Sequence, residues 1–314
     1  MKKRKVKKQV GGDKNRVVGN DFGDSFFLSY WKMFDISLFG RPRVDLLNII
    51  GRNLDSGTKK YWIATVNPEF VMATFAADFA EATTAKEASA AKAAKRNEFF
   101  EVLKRTNLNV VDGIGLVWAR ELDARYKMLD VRKKNKINKF FIAFKVGVKV
   151  LRGKYKDQMA SGADLILELA KMAKEKNKKI FLLGGWGDRA KKTAEFLMSN
   201  YLISNKKIEW CAGEPEISNE KVLKQINQFK PDILLVAYGM KRQEFWVNDN
   251  LEKLDVGLVM GVGRSFDYYS GDLKRAPSWI RKMGMEWFYS LVKEPKRFKR
   301  QLVLPKFIWK VLFN

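Results

Sequence analysis

The stretch DILLVAYGMKRQEFWVND, residues 232–249, decides the fold. Its apolar run stops at Gly239, and a polar quartet, Lys241, Arg242, Gln243 and Glu244, follows at once and opens a helical pattern. A short uninterrupted apolar run is what a strand covered on both faces requires, because alternation is lost when neither face meets water. Four other segments repeat the design: YWIATVN (61–67), NVVDG (109–113), KKIFLLGG (178–185) and VGLVMGVG (256–263). Each runs into a loop containing Gly, Asn or Asp, and a helical segment follows. From about Ile36 to Tyr269 the chain therefore reads as an α/β, Rossmann-like, mostly parallel sheet with helices on both faces. Ligands of such sheets bind outside the carboxyl ends of the strands, which makes Thr65, Asn67, Asp112, Gly184, Gly185, Gly239 and Gly263 the candidate site residues.

The chemistry available at those ends is restricted. The 314 residues include no histidine and one cysteine, Cys211. This excludes Ser/His/Asp and Cys/His catalysis, ordinary zinc sites and any intramolecular disulfide, leaving Asp, Glu, Lys, Tyr and backbone groups. In VVDGIG (110–115) Asp112 stands at a strand end before a glycine, placed either as a general base or as a cap for the next helix. Gln243 can hydrogen-bond a sugar hydroxyl or a base edge. Glu244 can fix Gln243, hold a substrate hydroxyl, or simply pair with the helix dipole. The glycine-rich turn GGWGDRAKK (184–192) offers backbone N–H groups and a helix N-terminus to a phosphate, but lacks the full dinucleotide fingerprint, so a tight turn explains it equally well.

Net charge is +26, and its placement is uneven. Residues 1–16 carry +7, residues 125–156 carry +11 and residues 274–314 carry +9, so the remainder is close to neutral at −1. Three basic patches on a neutral body expect an anionic partner, either phosphate-rich lipid or nucleic acid. Residues 1–35 read as a basic, disordered arm and 36–273 as the core. The core is interrupted by an alanine-rich helical segment near 80–97 and the basic insertion 125–156; residues 274–314 form an appendage. Within the insertion, NKFFIAFKVGVKVLR (138–152) puts Phe140, Phe141, Phe144, Val148 and Leu151 on one helical face, with Lys145, Lys149 and Arg152 off it. That suits an amphipathic helix on an anionic membrane and, equally, a core-packed helix with a solvated basic face; the alternation of Val146, Val148 and Val150 leaves a strand open. No apolar stretch has the roughly 18 residues of a membrane span, so membrane contact is expected to be peripheral.

The ordered set TVNPEF (65–70), VVDGIGL (110–116), SGADL (161–165), LLGG (182–185), GMKRQE (239–244), GVGRSFD (261–267) and RAPSWIRKMGMEWFYSLVKEPKRFKR (275–300) resembles the WecG/TagA/CpsF glycosyltransferase family. The likeness runs over about residues 36–304, and its last block is the most distinctive part. It implies an inverting transfer of an N-acetylhexosamine, typically N-acetylmannosamine, from UDP to a sugar carried on polyprenyl (undecaprenyl) diphosphate, in bacterial cell-surface polysaccharide or teichoic acid synthesis. It implies no cofactor and no metal, and the chain has no Asp-x-Asp pair to hold one against a diphosphate. Asp112 matches the family's proposed general base. Thr65, Asn67 and Gln243 match pocket residues, and Gly184, Gly185, Gly239, Glu244, Gly263 and Asp267 join the expected substrate-binding set. Arg297 and Arg300 match appendage cations that hold a diphosphate, with Arg281 and Lys293 as further contacts to phosphate or membrane.

The resemblance further implies a cytoplasmic protein, peripheral at the inner face of the cell membrane, that self-associates in solution. The appendage suits an anionic interface: Met283, Trp287 and Leu291 recur every four residues, and Phe307, Trp309 and Phe313 follow. Two departures stand out. Ser290 replaces an expected arginine seven residues before Arg297, and Gln158, Met159 and Ala160 stand where a Glu-Arg-Val-x-Gly pattern is expected before the Asp of SGADL; either Arg152, Lys154, Lys156 or Lys293 restores the lost charge, or the acceptor differs or activity is lost. The competing reading, a basic nucleic-acid binder on a Rossmann-like scaffold, is disfavoured because the apolar residues recur at amphipathic helical spacing and no nucleic-acid motif is present, so no nucleic-acid partner is expected.

Overall fold

The computed structural model describes residues 30–75, 98–129, 136–213, 219–295 and 298–313. The basic stretch 1–16, the alanine-rich 80–97 segment and Arg297 lie outside the described residues.

The chain opens with an antiparallel hairpin, β1 (Tyr30–Met33) and β2 (Ile36–Phe39), closed by Phe34 and Asp35, both at positive φ. Two consecutive residues in the left-handed region make the tight turn whose twist matches a hairpin. Composition alone assigns residues 30–35 to the N-terminal arm; they belong instead to this folded hairpin, because Met33, Ile36 and Leu38 are buried.

Helix α1 (Arg43–Asp55) leads to β3 (Tyr61–Val66) and α2 (Pro68–Ala73). A helix over the described residues 98–105 (α3) precedes β4 (Leu108–Val111), α4 (Ile114–Met128), α5 (Lys136–Leu151) and α6 (Gly162–Glu175). Then come β5 (Ile180–Gly184), α7 (Arg189–Tyr201), β6 (Ile208–Cys211), α8 (Asn219–Phe229), β7 (Ile233–Ala237), α9 (Arg242–Asn250), β8 (Leu258–Gly261) and α10 (Ser265–Tyr269). The C-terminal segment forms α11 (Ser278–Lys282), α12 (Glu286–Lys293), α13 (Phe298–Gln301) and α14 (Val303–Phe313).

Six strands make one parallel sheet in the order β4-β3-β8-β7-β5-β6. Side chains alternate across it. Ile63, Leu182, Leu235 and Met260 join α1, α6, α7 and α10 on one face, while Phe181, Leu183, Leu234 and Val259 pack with α8 and α9 on the other. Ala64, Val66 and Val111 extend that second face towards α2, α4 and α5. Both faces are thus covered, which is why the strands lack polar alternation.

The segment 138–152 is a helix; its Val alternation does not make a strand. The appendage is not one continuous helix. Gly284, at φ +69°, interrupts the four-residue repeat between α11 and α12, and a Cβ there would collide with the Ile114 side chain. Close approach to the start of α4 therefore fixes where the appendage turns. Phe307 is not an interfacial group: it is 1 % exposed, and α14 packs on α2 and α5, so that side chain belongs to the core. No helix of the described residues is long and apolar enough to cross a membrane.

Candidate active site

In the strand order, β3 lies between β4 and β8, and the chain leaves β4 for the far half of the sheet at β5. A crevice is expected where connections diverge in this way. A cavity of about 810 Å³ lies there, lined from below by Thr65, Asn67, Asp112, Gly239, Gln243 and Gly263 and from above by the appendage.

Each floor residue is fixed by the backbone that carries it. Thr65, buried at the end of β3, donates its hydroxyl to the Gly261 carbonyl at 3.1 Å, tying β3 to β8. Asn67 caps α2, its Oδ1 accepting the Phe70 N–H at 3.1 Å. Gln243 is buried and doubly held: Nε2 donates to Glu244 at 2.6 Å, and Oε1 accepts the Gly263 N–H at 2.9 Å. Glu244 also accepts the Lys241 N–H at 2.8 Å, so it both caps α9 and orients Gln243. Glu244 does not line the cavity, and burial pushes its carboxyl up to about 7. Gly261 is required beneath this pair, since a Cβ would stand 2.5 Å from Gln243 Nε2.

Asp112 does not cap α4; Gly113 holds that position at φ 107°. The Asp112 carboxyl instead accepts the N–H of Gly162, the first residue of α6. Its pKa is pushed up to about 7, first by burial, then by the nearby carboxylates Glu286 and Asp164, against the opposing pull of Arg275 and the Gly162 amide. A carboxylate poised near neutrality at a strand end, beside a large cavity, has the protonation behaviour of a general base.

The groups around Asp112 were not legible as a set. Arg275 donates to Asp164 at 2.7 Å, to Glu286 at 3.0 Å and to Ser161 at 3.1 Å. Asp164 is held below the ordinary carboxylate range: Arg275, Ser161 and Arg281 outweigh its burial, which alone is the largest influence and acts upward. Two neighbouring carboxyls, Asp112 and Asp164, are thereby driven in opposite directions. Arg275 sits inside the quoted block RAPSW, but its partners are 111 residues away in Asp164 and across Gly284 in Glu286, a closure that no local pattern records.

The other expected residues divide clearly. Arg281 and Arg300 line the cavity; Arg281 lies 3.6 Å from Asp164, and Arg300 pairs with Glu69. Lys293 is exposed over the Tyr289 ring and does not line it. Gly184 and Gly185, at the end of β5, lie outside the lining: β7 and β8 stand between β5 and the crevice. Their positive φ values, with the Gly185 N–H donating to the Ala237 carbonyl, account for the turn as backbone geometry. Asp267 is also outside it, buried between Arg189 and Arg264 at 3.0 and 2.9 Å. It acts on the cavity through Arg264, a lining residue that is also held by Glu294. Ser290 and Met159, where the resemblance leads to an expectation of cations, both line the cavity, whereas Arg152, Lys154 and Lys293 do not; the Lys156 side chain lies outside what the structure describes.

A sequence profile described as the glycosyl transferase WecG/TagA/CpsF family matches residues 144–314. The chain belongs to this family. The family match includes α6, the Gln243–Glu244 pair and the whole appendage, while Asp112 lies upstream of it. The chain is 31 % identical over 250 residues, 80 % of its length and 78 % of the relative's, to the N-acetylglucosaminyldiphosphoundecaprenol N-acetyl-beta-D-mannosaminyltransferase of Bacillus subtilis (strain 168). A protein of the same name from Staphylococcus aureus (strain MW2) is 32 % identical over 150 residues, 48 % of this chain and 58 % of its own. As a WecG/TagA/CpsF member, the chain is a glycosyltransferase.

Proposed function

We propose that this glycosyltransferase moves an N-acetylhexosamine, with N-acetylmannosamine as the donor sugar, from UDP to a sugar linked through diphosphate to a polyprenol, in a single inverting displacement without a metal ion. The observation that carries the reading is Asp112: a carboxyl raised to about 7 in the lining of a cavity whose other wall is apolar and cationic. In the proposed step Asp112 takes the proton of the acceptor hydroxyl as that oxygen attacks the anomeric carbon and the bond to UDP breaks. Attack from the face opposite the leaving group inverts the anomeric centre.

Thr65, Asn67, Gly239, Gln243 and Gly263 are assigned to the sugar and nucleotide, with Glu244 positioning Gln243. Gly184 and Gly185 are left with a supporting role in the turn. Arg281 and Arg300 are assigned to diphosphate charge, where fixed cations are most effective as negative charge develops on the leaving group. Arg297 is proposed for the same task on the family pattern. The metal-free reading follows the family pattern, and the chain has no Asp-x-Asp pair to hold a metal against a diphosphate. The names of the relatives support the acceptor class. A polyprenyl acceptor places the enzyme at a membrane surface, peripherally and on the cytoplasmic side where nucleotide sugars are found, and the anionic bilayer then becomes a partner.

The test is acceptor-dependent release of UDP from a panel of UDP-N-acetylhexosamines, using a short-chain polyprenyl-diphosphate-GlcNAc in detergent. Release by the wild type is expected to fall roughly 10²-fold or more in Asp112→Asn. Near-normal turnover in that variant rejects Asp112 as the base, and no release from any donor rejects the substrate class.

A further inference from the structure

Helix α5 packs with a face made of small and branched residues. Ala143, Val146 and Val150 are buried, Gly147 approaches the Trp118 ring, and the Trp118 indole donates to the Ala143 carbonyl at 3.0 Å. These contacts seat the helix without its aromatic residues. Phe140, Phe141 and Phe144 are 60, 58 and 63 % exposed, and Leu151 is 44 % exposed. At 3.6 residues per turn the four fall within an arc of about 100°, and Lys145, Lys149 and Arg152 fall along one edge of it. The helix carries no acidic residue, and these three cations are exposed with no carboxylate partner among the described residues.

Three solvent-facing phenylalanines side by side are the kind of apolar patch that marks an interaction surface. Its continuation names the occupant. Gly147, Val150 and Leu151 line the cavity, and α14, which packs on α5, also lines it through Ile308 and displays Trp309 and Phe313 at its surface. Apolar surface therefore extends from α5 past the cavity to the C-terminal helix, with lysines along its border. An apolar face edged by cations complements an anionic bilayer, in which Phe enters the acyl boundary and Lys meets the headgroups. A second copy of the chain fits poorly, because like faces bring like charges together.

We propose that α5 is a lipid-docking helix, separate from the α11–α13 segment, that seats the cavity mouth on an anionic membrane. The cavity then receives its acceptor from the bilayer side. The purpose assigned to α5 rests on the lipid-linked acceptor proposed above, but its measurement does not.

The experiment is co-sedimentation of the full chain with phosphatidylcholine vesicles with and without phosphatidylglycerol, for wild type, Phe140→Ser/Phe141→Ser/Phe144→Ser and Lys145→Ala/Lys149→Ala. None of these five residues lines the cavity. The triple variant is expected to lose more than about tenfold in vesicle affinity. The double variant should lose about fivefold per lysine, only on anionic vesicles and only at low salt. Turnover of a short-chain acceptor in detergent should be retained in both.

Vesicle affinity within about twofold of wild type in both variants overturns the proposal. So does a change in the monomer–dimer balance by light scattering without a change in vesicle binding, which would assign the face to a second copy. Should the triple variant fold poorly, the charge pair decides alone. A wild type that binds vesicles through α5 yet turns over no donor would sink the proposed reaction and leave this surface standing.

Discussion

Gln243 and Glu244, at the carboxyl edge of the sheet, are each 1 % exposed and held to each other and to the backbone of Lys241 and Gly263. No residue of α12, on the other side of the same cavity, is buried, and Trp287, Phe288 and Val292 stand open to solvent. One wall is fixed by a parallel sheet packed on both faces. The other is a run of short helices attached through Gly284 against Ile114, the Arg275 bridges and the buried Phe307. Groups that must hold a geometry within fractions of an ångström gain from the first kind of support. Groups that must admit a long, membrane-held substrate gain from the second, because weakly packed elements open at little cost. The cavity joins a precise half to an adaptable half, and Asp112 belongs to the first while its electrostatics depend partly on the second.

The largest effect that would sharpen this division is in Asp112 itself. Its folded pKa of about 7 lies above the ordinary value of 3.8, so ionisation is disfavoured in the fold. At low pH the native and unfolded states are both protonated there and no penalty exists. Between about pH 4 and 7 the unfolded chain releases the proton while the native state retains it, so stability falls as pH rises and then levels off. Asp112→Asn removes the charge and keeps an acceptor for the Gly162 N–H. Alongside its loss of transfer, it should be more stable than wild type by on the order of 1–3 kcal/mol at pH 8, with the difference vanishing near pH 4, in paired denaturant titrations. A variant less stable than wild type at pH 8 would mean that the Asp112 charge is compensated rather than stored for catalysis.

A smaller effect tests whether the adaptable wall tunes the precise one. Glu286 is on α12 and raises the Asp112 pKa through its charge, while also pairing with Arg275 at 3.0 Å. Glu286→Gln removes the repulsion and frees part of the Arg275 charge, and both changes favour ionised Asp112. The acid limb of kcat/KM should therefore move to lower pH, with the plateau rate less affected than the midpoint. A midpoint that stays in place or moves up would show that the appendage leaves the base unperturbed and that the two walls are electrically independent.

How far each wall was readable follows from the same contrast. Parallel strands covered on both faces are apolar runs, so YWIATV, IFLLG, ILLVA and LVMG announce themselves, and a polar residue just past such a run, as Asp112 is, stands out. Proximity along the chain also reveals the Gln243–Glu244 pair. The Arg275–Asp164–Glu286 bridges, the exclusion of Gly184 and Gly185, and the burial of Phe307 depend on strand order and on helices meeting across the cavity. Strand order is set by crossovers that the local pattern does not encode. For α5 the spacing of Phe140, Phe141 and Phe144 was legible but its meaning was not, since an apolar arc looks alike whether it meets a core or a membrane. Only the burial of Ala143, Val146 and Val150 shows which arc the protein itself uses.

The smallest expected effect separates cations by wall position rather than by number. Arg300 lines the cavity and pairs with Glu69 at the start of α2, so it links the appendage to the sheet; Lys293 is exposed over the Tyr289 ring and does not line the cavity. Motif position makes both of them candidates for the diphosphate. Geometry predicts that Lys293→Ala changes the acceptor KM by less than about twofold, the scale of an isolated surface charge, while Arg300→Ala raises it by about tenfold. UDP release at varied acceptor concentration reads both. If Lys293→Ala were the more damaging of the two, the diphosphate would have to lie outside the cavity, along the outer face of α12, and the pairing of a rigid floor with a cationic roof would lose its roof.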